Sequence, residues 1–348
     1  MADHFYTKIK WRCPSNIAIV KYWGKKDHQV PCNPSVSMTL SEAFTEVEME
    51  ISPKKDKDVK GVELEYFYEG IKNVPFQLRV QTYLESNLES FPFIKNHSIH
   101  INSSNNFPHS TGIASSASAF GAIALSLVDA QNEFSYLSEK KSFYKKASEM
   151  ARLGSGSACR SMYGGFAIWG HHPNVKESSD QFAIELTDIH DNFKQMQDAI
   201  LIVDDQQKKV SSSTGHSLMN NHPYAQSRFL QAQKNAEEII KVLSNGDYDT
   251  LIQVAEAEAL TLHAMMMTSH PYYLLMKPGT IDAIQKIVHF REETHTPVCF
   301  TLDAGPNVHV LYPSAFKTVV TEFINNDLKP FLKEVIFDKT GKGPEKLY

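Results

Sequence analysis

One aspartate, one arginine and two lysines stand where apolar runs of this chain give way to small-residue turns, and each could handle an anion or a proton. In Thr301-Leu302-Asp303-Ala304-Gly305-Pro306-Asn307 the carboxylate of Asp303 closes an apolar strand and precedes a Gly-Pro turn. There it is either a turn-former or an acid/base group at a strand end. The segment Leu153-Gly154-Ser155-Gly156-Ser157-Ala158-Cys159-Arg160-Ser161 begins like a dinucleotide-binding glycine pattern. Cys159 holds the place of the third glycine, however, and the segment follows a helical pattern where that fingerprint needs a strand, so the Rossmann reading fails. What is left is a Gly/Ser turn presenting Arg160, whose planar fork suits a carboxylate or a phosphate, with an ordinary surface ion pair as the alternative. Near the N-terminus, Asn16-Ile17-Ala18-Ile19-Val20-Lys21-Tyr22-Trp23-Gly24-Lys25 puts Lys21 directly after an apolar strand and Lys25 in a turn past Gly24. They are a pair of cleft cations or a pair of solvated lysines.

A loop for phosphate is also present in outline. Asn105-Asn106-Phe107-Pro108-His109-Ser110-Thr111-Gly112-Ile113-Ala114-Ser115-Ser116-Ala117-Ser118 breaks regular structure at Pro108 and Gly112 and then runs into small residues that can start a helix. Such a start exposes unpaired N–H groups and the positive end of the helix dipole, and small side chains let a phosphate approach while Ser115 and Ser116 add hydroxyl donors. A Ser-capped, tightly packed core helix fits the same residues. No Walker A sequence occurs, so a nucleotide would have to be held by another device.

The elements that must position these groups are mixed. Val36–Leu40, Thr45–Ile51 and Val62–Tyr68 are β-rich, the last two alternating apolar and polar residues. A helix opened by Pro75 runs through Gln77–Leu88, Ser98–Ile101 form a short strand, and residues 102–106 read as a polar loop. Helical patterns cover Gly112–Val128 and Tyr136–Arg152; Phe166–Trp169 and Phe182–Leu186 pair as strands around a polar excursion at 171–180. After an apolar strand at Ala199–Val203, helices at Tyr224–Leu243, Tyr248–Met267 and Thr280–Glu293 dominate. Strands at Val298–Leu302 and Val308–Tyr312, a helix near Phe316–Asn325 and a strand near Glu334–Phe337 follow. The pattern changes near residues 192–199, which places one lobe at 1–194 and a second at 195–348.

Composition narrows the function classes. The chain has 348 residues, enough for two medium lobes, and a net charge of −5 that argues against a broad nucleic-acid-binding face. No apolar run is long enough to span a membrane, and residues 1–10 lack the apolar stretch of a secretory signal, which points to the cytoplasm. Cys13, Cys32, Cys159 and Cys299 are scattered and read as reduced thiols, and the histidines show no ligand spacing, so no protein metal site is expected.

Together these segments resemble the diphosphomevalonate decarboxylases, within the superfamily of galactokinase, homoserine kinase, mevalonate kinase and phosphomevalonate kinase. The segments 16–25 (NIAIVKYWGK), 105–116 (NNFPHSTGIASS), 154–165 (GSGSACRSMYGG) and 303–307 (DAGPN) occur in the family's order, and 208–215 (KKVSSSTG) is similar to its further Ser/Thr phosphate loop. The similarity runs from about Ile9 to Leu311. It implies an α+β, two-lobed fold: an N-terminal lobe like the second domain of ribosomal protein S5 and a ferredoxin-like C-terminal lobe, with the site between them. It also implies ATP-dependent phosphorylation of the tertiary 3-hydroxyl of mevalonate 5-diphosphate, followed by loss of phosphate and CO2 to give isopentenyl diphosphate. In that reaction Asp303 would meet the hydroxyl proton, as base or as orienting group, Arg160 would fork the substrate carboxylate, and Lys21 would add charge where phosphate and carboxylate crowd. Tyr22, Lys25, Arg79, Ser157 and Ser212 would bind the substrate's anionic groups; Asn105, Pro108, Gly112, Ser115 and Ser116 would serve ATP. Mg²⁺ would accompany ATP through phosphate oxygens and water. A homodimer is the family's expected assembly. The chain departs from the family at 109–111, where His-Ser-Thr replaces the commoner Thr-Ala-Ala, at Ser213, where some bacterial relatives carry arginine, and at His216, in place of a usual methionine. A 5-monophosphate decarboxylase, a 3-hydroxyl kinase that stops after phosphoryl transfer, and a non-catalytic metabolite-binding protein are the competing readings.

Overall fold

The computed structural model describes residues 6–54, 61–107, 115–135, 140–206 and 212–348. The two longest strands, β1 (Thr7–Val20) and β2 (Ser35–Pro53), pair antiparallel and form the backbone of the first sheet. Their burial explains their sequence. The first half of β1 alternates buried and half-buried residues, as a strand covered on one face does, whereas 13–20 are buried throughout because helices lie on one face and the second lobe on the other. The remaining strands of this sheet are β3 (Glu63–Tyr68), β4 (Ile71–Lys72), β5 (His97–Asn105), β6 (Phe166–Trp169) and β7 (Ala183–Leu186). Beside β2 lie β5, then β3, then β4; β3 and β5 run parallel, and β6 pairs with β2 and with β7. Residues 102–105, expected as loop, continue β5 because each pairs with a β2 residue, from Asn102 opposite Glu48 to Asn105 opposite Thr45.

Three helices cover this sheet: α1 (Val74–Ser86), α2 (Ser115–Ser135) and α3 (Lys140–Gly154). Helix α1 is capped by Asn73, which accepts from Phe76 N–H, with Pro75 in its first turn. Phe120, Ile123 and Leu127 of α2 pack with Ile9, Met49 and Ile101 of the sheet.

The chain then passes through a short turn of helix, α4 (Asp191–Lys194), into β8 (Met196–Ile202). A second antiparallel sheet is built from β8, β9 (Cys299–Thr301), β10 (Val308–Pro313) and β11 (Glu334–Lys339), ordered β11-β8-β10-β9. Its helices are α5 (Ser212–Ser217), α6 (Ala225–Asn245), α7 (Tyr248–Met267), α8 (Pro278–Thr294) and α9 (Lys317–Phe323). Gly246, at φ 84°, ends α6 in the left-handed conformation that favours glycine, and Asp247 immediately caps α7 by accepting from Thr250 N–H. The two helices therefore form a tight antiparallel pair.

The two sheets share one core. Ile17, Ile19, Val36 and Met38 from β1 and β2 meet Ile200 and Ile202 of β8 and Ala232, Ala236 and Ala255 of α6 and α7. Asp338 of β11 adds a polar clasp, its carboxylate accepting from the N–H groups of Ser41, Glu42 and Ala43 at 2.8 Å each. Beyond it the chain returns to the first sheet, where β12 (Glu345–Lys346) pairs with β1. The α+β, two-lobed fold expected from the sequence is the one observed, each lobe built on one sheet.

Candidate active site

Lys21 stands at the meeting point of the two sheets. It follows the last residue of β1 and is 1% exposed, so its ammonium needs partners inside the protein. Nζ donates to the Ala18 carbonyl at 2.6 Å and lies 3.1 Å from Asp303 Oδ1. Burial lowers the lysine pKa, while the charges of Asp303 and Glu258 oppose that shift. Asp303 comes from the other sheet, two residues past the end of β9, and its side chain keeps 29% of its surface open. The turn after it is held by Gly305 N–H donating to the Asp303 carbonyl and by Asn307, whose Oδ1 accepts from Val203 and Asp204 N–H. Asn307 is thus the residue that ties the β9–β10 turn to the end of β8.

Arg160 reaches the same place from the first lobe. It lies in a short 3₁₀ segment, Gly156–Met162, directly after α3. Its Nε and Nη2 donate to Asn16 Oδ1 at 3.3 and 3.1 Å, and Nη1 donates to Ser35 Oγ at 2.9 Å. These bonds use three of the five N–H groups and fix the plane of the fork. The guanidinium is 3% exposed; burial pulls its pKa down, and the nearby negative charge of Asp303 pushes it back up. Arg160 in turn repels Lys21, so the aspartate and the two cations share one electrostatic neighbourhood. The surface ion-pair alternative for Arg160 and the solvated alternative for Lys21 are both excluded by burial.

A second group of residues surrounds the neighbouring turn. Tyr22 packs its ring against Trp169 (centroids 4.6 Å) and His216 (4.2 Å), and its hydroxyl is buried without a hydrogen-bond partner among the described residues. Burial raises its pKa. Gly156 makes this possible: a Cβ there would sit 2.8 Å from Tyr22 Cε1 and 2.9 Å from its hydroxyl oxygen. Lys25 donates to Gln29 Oε1 at 2.9 Å, and its pKa is lowered by burial and by the charge of Arg79. Arg79 sits on α1 with its side chain exposed overall, yet its guanidinium lies over the Phe76 and Phe120 rings at 5.3 and 5.4 Å. The charge of Arg79 thus bears on Lys25, three residues past Tyr22. Ser157, partly exposed, gives its carbonyl to Asn16 Nδ2 at 3.2 Å.

The phosphate-loop residues are placed in part. Ser115 and Ser116 begin α2; the Ser116 hydroxyl lies 3.3 Å from that of Ser155, and the Ser115 carbonyl accepts from Ser118. Asn105, at the end of β5, takes the Thr45 hydroxyl on its Oδ1 at 2.8 Å, and Thr45 also meets Ser118, so the strand end and the helix start are tied together. Pro108 and Gly112, with the segment 108–114, lie outside the described residues, as does 207–211. Ser212 is the first residue of α5.

Several members of the site escaped the sequence reading. Asn16 and Ser35 orient Arg160, and Glu258 Oε2 accepts from Lys21 N–H at 2.8 Å while pairing with Arg228. His216, singled out in the sequence only as a departure from the family, accepts from Gly24 N–H on Nδ1 at 3.1 Å and sits between Tyr22 and Trp23, with its pKa pushed down to about 3, first by burial and then by Lys25 and Arg160. A signal existed for the ion pair: Glu258 shares the stripe of Leu251, Ala255 and Leu262, and Arg228 that of Ala225, Ala232 and Ala236. A charge inside an apolar helical stripe requires a partner across the interface. Among the described residues, no three His, Cys, Asp or Glu side chains gather as a metal cluster, and no helix is long and apolar enough to cross a membrane.

The chain is similar to known proteins along most of its length. Residues 13–183 match the model for the diphosphomevalonate decarboxylase-like N-terminal domain, and residues 199–340 match that for the mevalonate 5-diphosphate decarboxylase C-terminal domain. The diphosphomevalonate decarboxylase of Saccharomyces cerevisiae is 32% identical over 324 residues, which cover 89% of this chain and 79% of that protein. Mevalonate diphosphate decarboxylase from Staphylococcus aureus superposes with a TM-score of 0.84 at 28% identity, covering 99% of each chain. A structure of MDDEF in complex with MVAPP, AMPPCP and magnesium superposes with a TM-score of 0.81 at 26% identity, again over 99% of each chain.

Proposed function

The chain belongs to the diphosphomevalonate decarboxylase family and is an ATP-dependent decarboxylase of mevalonate 5-diphosphate; we propose that Lys21, Asp303 and Arg160 carry its chemistry. The observation that carries the assignment is the 3.1 Å approach of Lys21 Nζ to Asp303 Oδ1, with Arg160 in the same buried neighbourhood.

A tertiary alcohol attacks ATP poorly, and a carboxylate at its proton improves the nucleophile. Asp303, held in place by Lys21 and by the turn behind it, meets the 3-hydroxyl; the oxygen takes the γ-phosphoryl group, and the proton passes to the carboxylate. Lys21 supplies positive charge as phosphoryl oxygens and the substrate carboxylate converge, in a buried place where that charge acts strongly. Cleavage of the C3–O bond then releases phosphate, and the electrons of the breaking C–CO2 bond close the alkene of isopentenyl diphosphate. Arg160 holds the carboxylate in line for that departure, its fork fixed by Asn16 and Ser35.

The 5-diphosphate end belongs at Tyr22, Lys25, Arg79, Ser157 and Ser212. A buried hydroxyl without a partner and two mutually repelling cations are groups whose energy an anion lowers. ATP belongs at Asn105, Pro108, Gly112, Ser115 and Ser116, where α2 begins. Magnesium would come with ATP, mostly on phosphate oxygens and water. We also place the enzyme in the cytoplasm as a homodimer; light scattering during size-exclusion chromatography tests the assembly.

The activity is tested by offering ATP with mevalonate, its 5-phosphate and its 5-diphosphate while ADP and CO2 are followed together. Both products should form in equal amounts with the 5-diphosphate. ADP without CO2 would make the protein a kinase, and preference for the 5-phosphate would remove the diphosphate assignment.

A further inference from the structure

Helix α7 grips both members of the Lys21–Asp303 pair by their main chains. Glu258 Oε2 accepts from Lys21 N–H at 2.8 Å, and His263 Nε2, further along the same helix, lies 3.1 Å from the Asp303 carbonyl oxygen and donates to it. Both helix residues are sealed from solvent, Glu258 at 0% and His263 at 1% exposure. Lys21 and Asp303 come from different sheets, so one rigid helix sets the distance between them.

Glu258 is itself immobilised. Arg228 of α6 donates to its two oxygens at 2.8 and 2.5 Å, Asn235 Nδ2 donates to Oε1 at 2.6 Å, and Arg228 Nη2 also reaches the Lys21 carbonyl at 3.4 Å. The N–H of Lys21 is thus held by Glu258, and its carbonyl, which accepts from Asn33 Nδ2 at 2.9 Å, is reached by Arg228 as well. A fully buried ion pair is a weak source of stability, because desolvation offsets most of the attraction and apolar residues of similar volume often do as well. Its placement on both main-chain polar groups of Lys21, the residue that meets Asp303, calls for a different role.

We infer that Glu258 and Arg228 are positioning residues for Lys21: they fix its main chain at the end of β1 so that the ammonium meets Asp303 in one orientation. The inference rests on the reading of Lys21 as a catalytic group. Neither residue touches substrate; both act through Lys21, and His263 holds the Asp303 main chain from the same helix.

Glu258→Asp keeps the charge balance with Arg228 and withdraws the carboxylate by one methylene from Lys21 N–H. Its kcat per folded molecule should fall at least about tenfold, since small misplacements at a reacting centre are costly. KM for both substrates should stay within about threefold, the pattern of an interaction lost in the transition state only. A lowered melting temperature with wild-type kcat per folded molecule would overturn the inference and leave the pair as packing. Two neutral doubles sharpen the test. Glu258→Gln with Arg228→Met keeps an acceptor for Lys21 N–H and should retain more than about a third of wild-type kcat, whereas Glu258→Leu with Arg228→Met, which lacks the acceptor, should lose at least about tenfold. Equal kcat in the two doubles contradicts the inference. Lys21→Met separates the two claims: if it turns over like wild type, the catalytic reading of Lys21 falls as well, and if it is inactive while Glu258→Asp is not, only the positioning role falls.

Discussion

Two ion pairs meet at Lys21, and they are built differently. Arg228 and Glu258 are both fully buried, joined by two hydrogen bonds, and closed further by Asn235. Lys21 and Asp303 are joined through one carboxylate oxygen at 3.1 Å, and the aspartate side chain remains 29% exposed. The hydrogen bonds of the first pair go to protein groups, including the main chain of Lys21. In the second, only the aspartate is open to solvent. On the proposed roles, the pair that meets substrate keeps one partner open to solvent, and the pair that holds still is buried on both sides. The contrast separates a sealed inner network, in which Arg228 Nε alone of that pair's polar atoms finds no partner among the described residues, from an outer pair with an open carboxylate.

The comparison breaks most sharply at Asp303. Asp303→Asn should lower turnover at least about a hundredfold while ATP still binds, as loss of a general base does; steady-state rates with nucleotide titration check it, and near-wild-type turnover removes Asp303 from its role. Arg160→Lys is expected to cost about tenfold or more in decarboxylation, because an ammonium cannot keep both the Asn16 and Ser35 bonds and a forked grip on carboxylate. The ratio of CO2 to ADP should drop below that of wild type, and an unchanged ratio would free Arg160 from gripping the carboxylate. Tyr22→Phe removes a buried hydroxyl that has no partner among the described residues. KM for the 5-diphosphate should rise about three- to tenfold with thermal stability held or slightly raised, since only the ligand-bound state loses a bond.

The smallest effect at neutral pH concerns His216. Its folded pKa of about 3 lies below the ordinary histidine value, so the unfolded chain takes up a proton that the folded chain refuses. Nothing is lost above about pH 6.5; below it the folded state weakens by up to about 1.4 kcal/mol per pH unit until the folded pKa is reached. His216→Met should flatten the fall in melting temperature between about pH 6.5 and 4.5, and parallel curves for the two proteins would refute the assignment.

Much of this was legible before any coordinates. Periodicity located α3, α6, α7 and α8 within a few residues, because each carries an amphipathic or apolar stripe that burial demands. The motifs placed Lys21 and Asp303 at strand ends and Arg160 in a turn after a helix. Local pattern could not show that β5 runs to Asn105, since Asn102 to Asn105 are polar and become strand only by pairing with β2. Nor could it show that Arg160 is oriented by Asn16 and Ser35, which lie 144 and 125 residues away in sequence. The Arg228–Glu258 pair was half visible, as charges in apolar stripes, but its attachment to Lys21 depends on how α7 crosses β1.

The central claim is that one buried cationic pocket carries out phosphoryl transfer and decarboxylation in succession, and a single-turnover experiment tests it most directly. With ATP and mevalonate 5-diphosphate mixed rapidly with excess enzyme and quenched over time, ADP and CO2 should each reach one per substrate, with CO2 never ahead of ADP. CO2 release that precedes ADP, or a full turnover of ADP with no CO2, would contradict the account.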